Sequence, residues 1–111
     1  MASTRKAFDL SLGYPQWQGS GRHEHLPRGA RAAAAVIGRY APLVDVPLAN
    51  EAPDIEHNIR HWKAIFAQFR SANEILERSR AKRVLAAGGD CAVDVAVIGY
   101  LNRMHPGLQV I

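Results

Sequence analysis

The stretch Gly88-Gly89-Asp90-Cys91 holds the one cysteine of the chain, between the apolar runs Val84–Ala87 and Ala92-Val93. Apolar residues, a glycine pair and a second apolar segment read as a turn from a strand into a helix. At the start of a helix, free N–H groups and the positive end of the dipole favour a thiolate, so Cys91 could be reactive. A nucleophile also needs a base and a group that orients the base. His23, His25, His57, His61 and His105 supply imidazoles, yet no local motif places any of them beside the thiol. The other roles open to Cys91 are metal ligand and small buried hydrophobe, and its residues alone favour the last.

The glycine pair could cradle a phosphate, because glycine permits positive φ and a helix N-terminus offers N–H donors. The sequence fits neither G-x-G-x-x-G nor G-x-x-x-x-G-K-[ST], and Asp90 would repel an anion there. A turn with Asp90 as N-cap, and Asp94 in the first helical turn, is the simpler reading. His57 and His61 have the i, i+4 spacing of a helical metal pair, but Asn58 stands where H-E-x-x-H has its glutamate. Solvent-exposed imidazoles are the expectation there. His23-Glu24-His25 would put two imidazoles on one side of an extended segment, with no third ligand nearby.

The elements that must position these groups follow from periodicity. Phe8 to Leu12 alternates apolar and polar side chains, as a short strand does. Tyr14 to Arg28 is too rich in Gly, Pro and polar groups for helix or strand, and long loops of this kind tend to serve a site. Gly29 to Tyr40 is a helix stopped by Pro42, and Leu43 to Leu48 a second strand. Apolar residues from Ile59 to Leu76 recur at intervals of three and four, which predicts an amphipathic helix from Asn58 to about Arg80. Arg83 to Ala87 reads as a strand covered on both faces, Cys91 to Met104 as a helix, and Leu108 to Ile111 as the start of a further strand. Strand and helix alternate throughout. The expected fold is α/β, with three α/β/α layers and a mostly parallel sheet joined by right-handed crossovers.

Composition bounds the function. A chain of 111 residues with 48% hydrophobic and 22% charged residues is globular rather than disordered. No apolar run approaches the roughly 20 residues that span a bilayer. MASTRKAF lacks the apolar core of a secretory signal, and a lone cysteine cannot make an internal disulfide, so a cytoplasmic protein without membrane partners is expected. The net charge of +4 is scattered, apart from Arg78, Arg80, Lys82 and Arg83, where a helix should end and cations complement its dipole. Without an aromatic platform or reading helix, no nucleic-acid partner is expected.

Taken together, three stretches resemble the N-terminal part of arginase-like ureohydrolases, the arginase, agmatinase and formimidoylglutamase family. They are Pro15-Gln16-Trp17-Gln18-Gly19-Ser20-Gly21 after a first strand, His25-Leu26-Pro27-Arg28-Gly29-Ala30-Arg31-Ala32 running into a helix, and V-L-A-A-G-G-D-C-A-V-D before another. The resemblance covers nearly the whole chain, and its most specific element is the G-G-D-x turn. It implies that residues 1–111 are a single partial domain, the N-terminal part of a three-layer α/β/α fold. It implies two manganese ions whose shared hydroxide attacks the carbon of a small guanidino substrate such as arginine or agmatine. The family turn reads G-G-D-H and its histidine binds manganese, so Cys91 is the implied metal-ligand position in this chain. A thiolate is softer than imidazole and suits zinc or iron better than manganese. The family's D-A-H-x-D motif and its later D-x-D pair do not occur in the sequence, so the chain by itself is expected to be inactive. The alternative expectation is a non-catalytic interaction module, since an unpaired sheet edge and uncovered apolar surface invite self-association into a homo-oligomer.

Overall fold

Leu10, Leu12 and Tyr14 alternate with Ser11 and Gly13, and both faces of this segment are buried, as a central parallel strand requires. In a computed structural model, which describes residues 7–111, it forms strand β1 (Leu10–Tyr14). Most of MASTRKAF therefore lies outside the described residues. β1 pairs in parallel with β2 (Leu43–Asp45) on one side and with β5 (Val84–Gly88) on the other. Between them run helix α1 (His25–Ile37), a hairpin of β3 (Ile55–Glu56) and β4 (Ile59–Arg60), and helix α2 (Trp62–Ser79); helix α3 (Val93–Met104) follows β5.

The two faces of β1 carry different helices. Ser11 Oγ donates to the carbonyl of Ile37 at 2.8 Å, and Gly13 lies against Ala34, so α1 covers one face. Leu10, Leu12 and Tyr14 point the other way, into a core with Ala72 and Leu76 of α2 and Val93, Ala96, Val97 and Tyr100 of α3. The fold is α/β, a small parallel sheet between helices, as the alternation of elements implied. Tyr100 ties the layer together, its hydroxyl donating to the carbonyl of Ala81 at 2.6 Å. Among the described residues no helix is long and apolar enough to cross a membrane.

Several boundaries move. Helix α1 starts at His25 rather than Gly29, because Pro27 falls in its first turn, where its missing N–H costs nothing. It ends at Ile37, and the following Gly38 N–H donates to the carbonyl of Ala34. Helix α2 starts at Trp62 rather than Asn58. His57 and Asn58 take φ of 53° and 61°, which makes them the two-residue turn of the β3–β4 hairpin. β2 stops at Asp45 instead of Leu48, ahead of Pro47. Leu108 to Ile111 is not a strand: among the described residues no neighbour pairs with it, and all four residues are exposed. The basic residues do sit at a helix end, with Arg78 in the last turn of α2 and Arg80 left-handed at its C-cap.

Candidate functional site: the Gly88–Cys91 turn and the Gln16–Gly19 loop

β5 delivers Gly88-Gly89-Asp90-Cys91 to the carboxyl end of the sheet, where β1 delivers the loop that follows Tyr14. Ligands of parallel α/β sheets gather at such ends. The two segments touch through backbone. Gly89 N–H donates to the carbonyl of Tyr14 at 3.3 Å and Asp90 N–H to that of Gln16 at 2.9 Å. A Cβ on residue 89 would overlap the backbone of Gln16, so the close approach requires glycine.

Asp90 is the hub. Its Oδ1 accepts from Gln16 Nε2 at 2.9 Å and from the Ala92 N–H at 3.1 Å, while Oδ2 accepts from the Gly19 N–H at 2.7 Å. The N-cap of α3 is not the Asp90 expected from the sequence, and no side chain caps the helix. Asp90 satisfies the turn that leads into α3, whose N-cap by backbone position is Ala92, and it pins the first loop as well. Behind it Gln68 Nε2 of α2 donates to Gln16 Oε1 at 2.8 Å and to Gln18 Oε1 at 3.1 Å, while Gln68 Oε1 accepts from the Ala49 N–H at 2.9 Å. Gln16 and Gln68 are 0% and 1% exposed. A buried polar group stabilises only when its partners are present, and here each glutamine amide has them.

Gln16 and Gln18 lie in the P-Q-W-Q-G-S-G loop quoted for the resemblance, but nothing in the sequence pairs them with Gln68 of α2. The available signal was Gln68 itself. Ala64, Gln68, Ala72 and Leu76 form the buried row of α2 at intervals of four, and Gln68 is its polar member.

Cys91 is exposed, contrary to the reading of a lone cysteine as a buried hydrophobe. It precedes α3 rather than lying inside it, because the helix begins at Val93. The histidines are dispersed. His57 is at the hairpin tip with its ring edge-on to Trp62 at 5.0 Å, while His61 lies against Trp17 at 5.3 Å, so their spacing of four is not helical. His23 also meets Trp17, at 5.7 Å, and Glu24 is helical in its backbone, so His23 and His25 do not share one side of an extended segment. His105 Nε2 lies 2.6 Å from the carbonyl of Lys82. Among the described residues no three His, Cys, Asp or Glu side chains come together to hold a metal ion.

No family model and no curated protein matches this chain. What the site can do chemically therefore rests on its geometry. The turn offers one accessible thiol on a rigidly held corner, and the buried phenol of Tyr14 offers no base. Burial pushes the Tyr14 hydroxyl up to about 12, with the charge of Asp90 adding to the shift, so Tyr14 stays protonated at neutral pH.

Proposed function

We propose that this chain supplies the N-terminal part of an arginase-like, metal-dependent hydrolase of guanidino compounds such as arginine or agmatine, working in the cytoplasm. One observation carries the reading. The G-G-D-C turn lies at the carboxyl end of a parallel strand, is clamped to the W-Q-G loop through Asp90, and leaves Cys91 accessible where the family places its first metal-binding histidine. In this reading Asp90, Gln16 and Gln68 orient the corner, and Cys91 is its single metal-ligating side chain.

Manganese is the metal the resemblance implies, and a metal pair would supply an activated hydroxide. The side chains described do not make a two-manganese centre on their own, since no three His, Cys, Asp or Glu side chains among them come together to hold a metal ion. The chain alone is accordingly proposed to be inactive, the remaining ligands being supplied from outside residues 1–111. Titration of the purified chain with manganese, together with assays on arginine and agmatine, tests this. No turnover and no stoichiometric binding are expected, and turnover with two manganese ions bound would overturn it. The coding sequence beyond Ile111 tests the family assignment separately, with a D-A-H-x-D motif expected and its absence in every frame counting against it.

The second reading, a non-catalytic module that self-associates, is favoured by one feature. Among the described residues β5 has a neighbour on one side only, and its segment Val84–Gly88 lacks the charges, proline or bulge with which proteins guard a sheet edge. Ile98 is exposed on the helix that follows. Light scattering separates the two: a monodisperse monomer at high concentration removes this second reading.

A further inference from the structure

Beside the polar corner lies a cleft of about 450 Å³ that the corner does not use. Ile59 of the hairpin, Trp62, Phe66 and Phe69 of α2, and Ala92 and Val95 at the start of α3 form its walls. Tyr14 completes it from the carboxyl end of β1, so the cleft opens where parallel sheets receive ligands. Its volume falls in the range of small-molecule pockets, about 300–1,000 Å³.

We propose that this cleft binds a neutral, planar aromatic small molecule. The rings of Trp62 and Phe66 lie 5.2 Å apart at 20° to each other, a stacked pair on which another flat ring can continue the offset arrangement. Among the described residues no charged side chain lines the cleft. The charges that act on the walls, Asp90 on Tyr14 and Arg70 at 5.9 Å from the Phe66 ring centroid, are not themselves part of the lining, so a guanidinium or carboxylate placed inside would lose its hydration without a direct ion pair, whereas a neutral ring loses nothing of the kind. Gly19 adds to the fit. Its amide already donates to Asp90, so the backbone it presents makes no demand on a ligand for that bond. The inference stands apart from the guanidino-hydrolase reading, since it involves neither Cys91 nor a metal.

The test is an NMR titration of the chain with 2-naphthylmethanol, with 2-naphthoate and arginine as charged counterparts. Saturable shifts confined to the neighbourhood of Ile59, Ile65, Ala92 and Val95 are expected from the neutral compound, at an apparent Kd of roughly 0.1–1 mM for a ligand of this size. The charged compounds should bind at least tenfold more weakly. Phe66→Asp, at a position 42% exposed in the free chain, should weaken the neutral compound at least tenfold while the melting curve is retained. Should that variant fail to fold, Val95→Asp, at a position 62% exposed, makes the same test. The proposal is overturned by an absence of saturable shifts, by shifts elsewhere, by equal binding of 2-naphthoate, or by a dimer that withdraws these residues from solvent.

Discussion

Gln68 and Gln16 share a hydrogen bond of 2.8 Å across 52 positions of sequence, and the bond joins the longest helix to the loop that carries the candidate site. Gln68→Leu keeps the volume and removes the amide. It leaves Gln16 Oε1 and the Ala49 N–H without a partner and Gln18 Oε1 with the Trp17 N–H alone, at 3.3 Å, a loss expected to cost about 2–3 kcal/mol from the cost of buried unsatisfied groups. Urea unfolding measures it. An unchanged midpoint would show that the network contributes no net stability.

Gly89→Ala asks a different question, whether the turn tolerates any separation from the loop. The added methyl meets the backbone of Gln16, which cannot swing aside as a side chain can. A loss of about 1–3 kcal/mol is expected, as for overpacked sites. Faster hydrogen exchange at the Gly19 amide should accompany it, because the Asp90 carboxylate that holds this amide moves with the turn. Wild-type exchange at Gly19 would separate turn from loop.

Cys91 carries an accessible thiol and no structural burden. Cys91→Ser should change stability by less than about 0.5 kcal/mol, the usual range for surface substitutions. Iodoacetamide should label the native chain nearly as fast as the chain in denaturant, as mass spectrometry would record. Strong protection in the native state would place the thiol inside the fold.

Acid should weaken the chain through Asp9. Its carboxylate accepts from the N–H groups of Lys82 and Arg83 at 3.0 and 3.1 Å, which hold its pKa below the ordinary 3.8, with the charge of Arg83 assisting. A carboxylate with a folded pKa below its unfolded one contributes stability that is fully present above 3.8 and is lost as pH falls through the lower folded value. Asp9→Asn removes that contribution and should flatten the fall in stability in this window. Parallel acid melts of the two proteins would decide it, and identical slopes would exclude Asp9 as a source.

What could be read in advance were features that short-range patterning encodes. The apolar repeat of α2 and the alternation of strand with helix specified an α/β fold, because period and burial are linked wherever an element packs on one face. The G-G-D turn was legible for the same reason, since glycine pairs between apolar runs have few alternatives. Leu108 to Ile111 misled because strand composition is not strand pairing; four suitable residues remain exposed when no neighbour supplies a ladder. The spacing of four between His57 and His61 has meaning only inside a helix, and the left-handed turn at His57 and Asn58 takes them out of one.

The sequence by itself determined the layers and the turn that holds Cys91. The tertiary structure alone decided that Gln16, Gln18, Gln68 and Asp90 meet, that Cys91 faces solvent, and that a cleft with mainly apolar walls opens beside the polar corner. The physical reason is range. Periodicity reports which side of an element is buried, but the partner of a buried amide lies tens of residues away and leaves no mark on its neighbours in the chain.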